Sequence, residues 1–417
     1  MKTNRPVYVV GGAHTPYIGK FHPDFIWKKH PDFGKRENPT IEEHLSRAVN
    51  DAFAATGIDP EHIDYGVASN FVAELFVNQA HLGSMMARAH PALKYKPFTR
   101  VEGACASGAL ALVAGMNAIA AGADLVLVAG VEVQTTVSAR EGADYLARAS
   151  HYANERGMDD FTFPCMFARR MKHYLEKYGG SPADLAPIVV KAYSNAAKNP
   201  NAHMRGVGME LENAQNASDR NPNFLGNEEY NPFLKVSECS QVSDGASAVI
   251  LASPEGLEKM NIAPQVEIVA RGHAVGPLGE VDDFTKLDVT RYAADQAYGS
   301  MGWNAEDIDV AEVHDCFSIA EVLMTEALGF CAPGEGIAFG AAGETSLTGK
   351  IPVNTGGGLM AFGHPVGATG VKQALEIYRQ MTGACGDYQL AETPSRGLTA
   401  NMGGDDRTSV VMLYQKV

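Results

Sequence analysis

Two neighbouring stretches of the chain differ in their pattern of apolar positions. Residues 106–122, ASGALALVAGMNAIAAG, are small and apolar on every side, which predicts a helix that is buried all round rather than an amphipathic surface helix. Residues 124–133, DLVLVAGVEV, form a continuous apolar run, typical of a strand covered on both faces. Together they predict an α/β fold with an unusually central helix.

The C-terminal part shows a similar arrangement. Residues 363–380, GHPVGATGVKQALEIYRQ, predict a helix, and the runs RGLTANMGG and SVVMLYQ predict two late strands. The run IDVAEV, at 308–313, predicts a further strand that ends next to His314. The carboxyl ends of strands are where the sites of α/β proteins gather.

Two ungapped alignments indicate an internal repeat. The first places Gly57 on Gly302, within segments that also share an Ile-Asp pair. The second places Cys105 on His364, and a Gly-Ala pair follows each of them at the same distance. A repeat predicts two related halves about a pseudo-two-fold axis. Cys105 and His364 are then expected at equivalent helix starts and close together.

The region between the halves, roughly 134–235, has a different composition. Residues 161–200 carry six Lys or Arg against two acids, a local charge of +4 in a chain of net charge -15. An Asn-rich stretch follows, which predicts irregular structure. We expect an insertion over the active face. Its basic residues are equally consistent with a solvated helix face and with a patch for an anionic ligand.

Charge and cysteine usage exclude several classes of function. A net charge of -15 argues against nucleic-acid and anionic-membrane partners. The six cysteines form no CxxC pair, which indicates reduced thiols in an intracellular protein and no zinc site. No secretory segment, membrane span or peroxisomal tripeptide is found. These observations predict a soluble cytoplasmic protein.

Four motifs carry a resemblance to a known family. ACASGALAL around Cys105, SDGASAV at 243–249, HDCF at 314–317 and GGGLMAFGHPVGATG at 356–370 resemble the thiolase superfamily, and HDCF resembles its sterol carrier protein type. The resemblance implies the thiolase fold, two similar α/β halves in five layers, α-β-α-β-α, with an inserted loop domain. The halves are expected at 1–262, including a loop domain at about 134–235, and at 263–417.

The resemblance also implies roles for three residues. Cys105 is the nucleophile, and a helix N-terminus with a neighbouring base is expected to lower its pKa. His364 takes the Cys105 proton and then helps to hold a thioester oxygen in an oxyanion hole. His314 stands where most thiolases have an Asn, and it is expected to donate to the enolate-bearing oxygen.

The chain departs from the family pattern near its end. Asn401 occupies the place of a second cysteine, in the string NMGGDDRT. Gly403 is expected to pair its N–H with that of Cys105 as a second oxyanion hole. Cys316 is expected to replace the missing acid/base, because period-two alternation places it on the same side as His314. The adjacent Asp405 and Asp406 are expected in a solvated turn.

Substrate contacts are predicted at four positions. Ser240 matches a family serine that touches pantetheine, although a turn serine is equally consistent with its sequence. Arg169, Arg170 and Lys172 are expected to face the phosphates of coenzyme A. No metal and no redox cofactor is expected. The insertion at 19–40, which contains HPDF twice, is expected to be a surface loop or an oligomer contact rather than a metal site.

The predicted function is that of a thiolase of lipid metabolism. It would catalyse the reversible CoA-dependent cleavage, or Claisen condensation, of 3-oxoacyl-CoA or acetoacetyl-CoA through an acyl group on Cys105. The expected partners are acyl-CoA, CoA and further copies of the chain in a homodimer or tetramer. One alternative is a superfamily acyltransferase or condensing enzyme that uses a non-CoA acceptor and an OB-fold partner protein. The other is a catalytically silent acyl-CoA-binding scaffold.

Overall fold

The computed structural model describes residues 4–417, and within this range the chain forms one mixed sheet surrounded by helices. The sheet has nine strands. They are β1 Tyr8–His14, β2 Tyr65–Ser69, β3 Phe98–Val101, β4 Leu125–Glu132, β5 Gly245–Ala252, β6 Val266–Val275, β7 Val310–Val313, β8 Arg396–Gly403 and β9 Thr408–Lys416.

The α-helices of the described residues vary from single turns to helices of more than four turns. They are α1 Ile41–Thr56, α2 Ala73–Phe76, α3 Leu82–Met86, α4 Ser107–Ala120, α5 Ala139–Leu146, α6 Tyr152–Glu155, α7 Thr162–Tyr178, α8 Ala186–Lys198, α9 Leu211–Gln215, α10 Pro254–Met260, α11 Asp288–Met301, α12 Ser318–Ala327, α13 Gly336–Ala341 and α14 Thr369–Thr382. None of them is long and apolar enough to cross a membrane.

The strand order shows the predicted repeat. The sheet runs β3-β2-β4-β5-β1 in the first half and β6-β9-β8-β7 in the second. In the first half, β2 pairs in parallel with β4, and antiparallel pairings of β4 with β5 and of β5 with β1 follow. The second half has the same pattern: β7 pairs in parallel with β8, and antiparallel pairings of β8 with β9 and of β9 with β6 follow. The halves join through a short antiparallel pairing of β1 with β6.

Five layers result from the packing of helices on the two halves. The α1 helix covers one face of the first half, and α11 covers one face of the second. The α4 and α14 helices pack against each other and against strands of both halves. The α4 helix can occupy this central layer because it is apolar all round. The predicted five-layered α-β-α-β-α architecture is therefore confirmed. The α4 helix is central but not buried all round, because Asn117 is exposed and Leu110, Val113 and Ala114 on the same side are half-buried.

Helix ends confirm one of the repeat alignments and correct the other. Gly57 and Gly302 end α1 and α11 in the same left-handed conformation, with φ of 69° and 68°. The α4 and α14 helices both have 14 residues, and a side chain at Gly108 would collide with the backbone of Gly370. The alignment that pairs Gly108 with Gly367 is therefore wrong by three residues (370 − 367). Cys105 consequently lies two residues before α4, whereas His364 lies five residues before α14.

The inserted region between β4 and β5 is more helical than its sequence suggested. Its basic stretch forms α7 and α8, whose inner faces are buried. The Asn-rich stretch that follows contains the short α9 and reaches a 3-10 turn at Asn231–Phe233. The domain boundary at residue 262 stays a prediction.

Candidate active site

The chain around Cys105 forms a tight turn just before the central helix. Residues 104–106 form one 3-10 turn, and Ala104 adopts a left-handed conformation with φ of 52°. The Ser107 hydroxyl accepts from the Gly103 N–H (3.0 Å) and donates to the Ala104 carbonyl (2.6 Å), which holds the turn closed. Cys105 is partly exposed although Ala104 and Ala106 beside it are buried. The turn therefore presents the thiol to the space in front of α4.

His364 is held in one orientation by its neighbours. Gly363 adopts φ of 121°, and a side chain there would collide with the Ser243 hydroxyl. Nδ1 of His364 lies 2.6 Å from Oγ1 of Thr369, whose own proton is donated to the Pro365 carbonyl (3.1 Å). With the Thr369 proton on the Pro365 carbonyl, Nδ1 of His364 is the donor in its contact with Thr369. The neutral ring consequently leaves Nε2 as a free acceptor, and this atom is buried without a protein partner.

The hydrogen bonding of His314 is the opposite of that of His364, because the Nδ1 atom of His314 accepts a hydrogen bond. It follows the last residue of β7, and Asn401 lies on β8, the parallel neighbour of β7. Nδ2 of Asn401 donates to Nδ1 of His314 at 3.0 Å. A ring nitrogen that accepts carries no proton, so the proton of the neutral ring lies on Nε2. That Nε2 atom is also buried and has no protein partner.

Cys105, His314 and His364 converge on one point. The ligand-type atoms of the three side chains all lie within 4.8 Å of one another. The two imidazole rings meet edge to face, with centroids 5.1 Å apart. The structure thus brings the three side chains together, and their catalytic roles stay predictions.

The charge states of the three groups follow from burial. Burial raises the pKa of the Cys105 thiol to about 12; the Gly404 N–H opposes this rise and the nearby Glu132 carboxylate adds to it. Burial lowers the pKa of His364 to about 3 and lowers the pKa of His314 well below its usual value. The expectation of a lowered Cys105 pKa is therefore wrong for the free site. All three groups are neutral there.

Cys316 lies in the same cavity. Its carbonyl accepts from the Ser240 N–H at 2.8 Å, which ties the two segments together. Burial, and then the proximity of Cys105, raise the pKa of Cys316 well above its usual value. The expectation that this thiol titrates near neutrality is therefore wrong. Cys316 holds its proton at neutral pH.

The backbone donor beside Cys105 differs from the predicted one. Two backbone N–H groups oppose the rise in the pKa of the Cys105 thiol, first that of Gly404 and then that of Cys105 itself. Gly403 packs its α-carbon against the Gly103 carbonyl, and only Gly404 lines the cavity. The turn between β8 and β9 shifts the donor one residue along the chain. The prediction of Gly403 as the second oxyanion donor is corrected to Gly404.

The cavity in front of Cys105 has a volume of about 160 Å³ and mostly apolar walls. Its polar lining includes Ser240, at the place expected for a pantetheine contact. Cys239 is also part of the wall. The apolar lining is formed by Phe71, Ala139, Ala143, Leu146, Ala149, Phe161, Phe163, Pro164, Phe167, Val242, Phe317 and Val366.

The basic residues predicted to face the CoA phosphates are engaged elsewhere. Arg170 is fully buried, pairs with Asp405 and donates to two backbone carbonyls. Arg169 stacks on the Phe284 ring at 4.1 Å, and Lys172 pairs with Glu229 at 2.6 Å. None of the three basic residues lines the cavity. The prediction is wrong for Arg170, because a guanidinium buried in an ion pair cannot reach a phosphate.

The acids at the end of β8 are buried too. Asp405 is 2% exposed and Asp406 is 1% exposed. Asp406 accepts from the backbone N–H groups of Val289 and Thr290 at the start of α11. The expectation of a solvated turn is therefore wrong, and these acids fix the loop that carries Gly404.

Three supporting residues were missed by the sequence reasoning. Glu132 is fully buried and accepts from the backbone N–H groups of Phe71, Val72 and Gly367. Gln134 donates to the His364 carbonyl at 2.9 Å, and Thr369 sets the proton position of His364. The only sequence signal was that the two acceptors, Glu132 and Thr369, are polar residues within otherwise apolar runs.

Comparison with known proteins agrees with this site. The family described as "Thiolase, N-terminal domain" matches residues 29–219, and "Thiolase C-terminal domain-like" matches residues 270–416. The chain is 36% identical to an acetyl-CoA acetyltransferase of Methanothermobacter thermautotrophicus over 88% of this chain and 92% of that protein. It is 31% identical to sterol carrier protein 2 of Gallus gallus over 74% of this chain and 56% of that protein.

Solved structures share the fold. An assembly titled "Ltp2-ChsH2(DUF35) aldolase" superposes with a TM-score of 0.74 at 22% identity, covering 98% of this chain and 97% of that chain. Human mitochondrial 3-ketoacyl-CoA thiolase in complex with CoA superposes with a TM-score of 0.72 at 17% identity, covering 100% and 99%. Matched along both of its halves and carrying the family's motifs at one site, the chain belongs to the thiolase family and is an acyltransferase enzyme.

Proposed function

We propose that the protein catalyses reversible, CoA-dependent cleavage of a 3-oxoacyl-CoA, with acetoacetyl-CoA as the smallest substrate, through an acyl group on Cys105. The observation that carries this proposal is the different partner of each Nδ1 in the two imidazoles that meet at the thiol: a Thr hydroxyl for His364 and an amide NH₂ group for His314. His364 offers a lone pair and His314 offers an N–H at the same point. A nucleophile, its base and an oxygen donor are thereby available in one cavity.

The first step transfers the Cys105 proton to Nε2 of His364. The thiol is neutral in the free site, so the base must act as the substrate arrives. The sulfur then bonds to the 3-oxo carbon, and the carbonyl becomes an alkoxide. The Gly404 N–H beside the sulfur is placed to donate to this oxygen. The alkoxide collapses as the C2–C3 bond breaks, which leaves an acyl group on Cys105 and an acetyl-CoA enolate.

The enolate is stabilised and protonated by the other side of the cavity. Nε2–H of His314 donates to the thioester oxygen, where the negative charge develops. Cys316 holds its proton at neutral pH, so it can donate to C2 as a general acid. Acetyl-CoA then leaves and Cys316 remains as a thiolate.

The second half-reaction returns Cys105 and Cys316 to their thiol forms. A CoA thiol gives its proton to Cys316 and attacks the acyl carbon. Cys105 leaves as a thiolate and regains its proton from the His364 imidazolium. The cycle returns every proton to its starting atom. Condensation follows the same steps in reverse, with the Cys316 thiolate removing a proton from the acetyl methyl.

A CoA thioester as substrate is supported by two observations. The mostly apolar cavity suits a thin, weakly polar arm such as pantetheine, and Ser240 lies on its wall. The curated relative at 36% identity is named acetyl-CoA acetyltransferase. The acyl chain length, the favoured direction and the cytoplasmic location stay predictions, as does assembly into a homodimer or tetramer.

The test is acylation measured by intact-protein mass spectrometry. Incubation with acetoacetyl-CoA is expected to add 1 acetyl group per chain and to release acetyl-CoA, by the proposed mechanism. Cys105→Ala should remove this adduct, whereas Cys331→Ala should keep it, because Cys331 lies outside the cavity. An adduct that persists in Cys105→Ala would defeat the acyl-Cys105 mechanism.

A second candidate is a condensing enzyme that acts with an OB-fold partner and a non-CoA acceptor. The observation that favours it is the superposition on an assembly whose title names a DUF35 component. An activity assay of the purified chain distinguishes the two proposals. Cleavage of acetoacetyl-CoA by the chain alone supports the first proposal. Activity that appears only when a partner protein is added supports the second.

A further inference from the structure

Asn401 connects the central helix α4 to His314, one of the two histidines of the site. Its side chain lies between the N–H of Ala109 in α4 and the ring of His314. Oδ1 accepts from the Ala109 N–H at 3.3 Å, while Nδ2 donates to Nδ1 of His314 at 3.0 Å. Turning the amide over would place its NH₂ group against the Ala109 N–H and its oxygen against the imidazole. The Ala109 N–H can only donate, so it fixes the orientation of the amide and leaves the NH₂ group facing Nδ1 of His314.

The cluster that Asn401 touches has the composition of a zinc site. One Cys and two His side chains bring their ligand-type atoms within 4.8 Å of one another. Nε2 of His314 and Nε2 of His364 are fully buried and have no protein partner. Zn²⁺ takes such atoms at about 2.0–2.3 Å, and three protein ligands with one open position are its usual catalytic geometry. Only small movements would be needed to close these atoms around an ion.

We propose that Asn401 is a positioning residue that holds His314 as the Nε2–H tautomer, and that it thereby keeps transition-metal ions out of the Cys105–His314–His364 cluster. A metal ion needs the Nε2 lone pair, so the proton of the ring would have to move to Nδ1. There it would face the Asn401 NH₂ group, donor against donor, between two side chains that are both fully buried. The same contact keeps Nε2–H available for the thioester oxygen, so this inference rests on the proposed function.

The Asn401→Asp variant is expected to favour the opposite tautomer of His314, with the proton on Nδ1. A carboxylate has the shape of the amide and still accepts from Ala109, but it also accepts a proton from Nδ1 of His314. Carboxylate, histidine and metal then form the chain that orients many zinc ligands, and such partners change metal affinity by about 10–100-fold. The variant is expected to gain a metal site and to lose the oxyanion donor.

The experiment is a titration of the metal-free full-length protein with Co²⁺, and then with Zn²⁺ in competition. Asn401→Asp is expected to bind 1 equivalent of Co²⁺ with thiolate charge-transfer absorption, about 10–100-fold more tightly than the wild type. Adding Cys105→Ser to the variant should abolish this absorption. The matched control is Asn354→Asp: Asn354 is also fully buried, and its Oδ1 accepts from Val313 at 2.8 Å without touching an imidazole. Equal affinity of the wild type and Asn401→Asp, or an equal gain in Asn354→Asp, would overturn the inference.

Neutron diffraction on the deuterated wild type tests the tautomers without any variant. Deuterium is expected on Nε2 of His314 and on Nδ1 of His364. Deuterium on Nδ1 of His314 would overturn the inference whether or not Asn401→Asp folds. Neither measurement requires turnover, so the tautomers can be as stated even if no acyl-enzyme forms, and that result would count against the proposed function alone.

Discussion

Replacing Arg170 by Met is expected to weaken the fold rather than the affinity for CoA esters. Arg170 is 0% exposed, and its guanidinium pairs with Asp405 and donates to the carbonyls of Phe284 (3.0 Å) and Lys286 (2.8 Å). The Arg170→Met variant leaves the Asp405 carboxylate buried without its main counter-ion. Breaking a buried ion pair by removing one partner costs about 3–5 kcal/mol.

This cost can be converted into a shift of the thermal midpoint. The entropy of unfolding is about 2.1 cal/mol/K per residue, which gives roughly 0.9 kcal/mol/K for the 417 residues. Arg170→Met is therefore expected to lower the midpoint by about 3–6 °C in differential scanning calorimetry. Arg170→Met with Asp405→Leu removes both charges, so it should recover a large part of the loss.

Arg169→Met is the matched control for this experiment. Arg169 is its direct neighbour, but its nearest carboxylate oxygens lie at 3.8 and 3.9 Å and its side chain is 16% exposed. Its substitution should cause less than half of the shift. An unchanged midpoint in Arg170→Met, together with a KM for CoA esters that rises and depends on salt, would refute the structural role and restore the phosphate contact. The kcat of Arg170→Met should also fall, because Asp405 adjoins Gly404.

Three further predictions concern the cavity. Cys316→Ser should leave acylation of Cys105 intact but slow the exchange of the acetyl-CoA methyl protons with D₂O by at least about 10²-fold; exchange at the wild-type rate would place the acid/base elsewhere. Gly404→Ala should lower kcat by about 10²–10³-fold, since a side chain there meets the Ala149 carbonyl and strains a backbone with φ of 67°; an unchanged kcat would remove Gly404 from the oxyanion hole. Because burial raises the pKa of Cys105 to about 12, its alkylation by iodoacetamide should accelerate about tenfold per pH unit from pH 7 to 9; a plateau below pH 8 would instead indicate a thiolate–imidazolium pair.

The sequence was sufficient for features that depend on local pattern. The strand at 125–132 follows from a run of apolar, largely branched residues, which fits a position covered on both faces. The helix at 107–120 follows from its run of small apolar residues, but one side of it is only half-buried. The nearness of Cys105, His314 and His364 followed from the resemblance and from the repeat, even though the second alignment was out of register. An error of three residues near a helix start moves a side chain by one turn but leaves it at the same end of the helix.

Charge states and pairings were not predictable in the same way. The acids of NMGGDDRT and the basic residues of α7 are 235 positions apart in the chain, and each looked solvated when considered alone. The contact of Arg170 with Asp405 removes both side chains from water, which turned one predicted phosphate contact into a buried ion pair. The pKa of Cys105 depends in the same way on Glu132 and on burial, neither of which a helix-start pattern reveals.

The sequence by itself therefore determined which elements form and their repeat, because backbone preference and apolar periodicity act over a few residues. Only the tertiary structure decided which backbone N–H serves Cys105, where Arg170 points and which nitrogen of each imidazole carries the proton. The last of these depends on Thr369 for His364 and on Asn401, 87 positions away, for His314. Hydrogen bonds between distant segments select the tautomer of a buried neutral ring, and they exist only once the chain has folded.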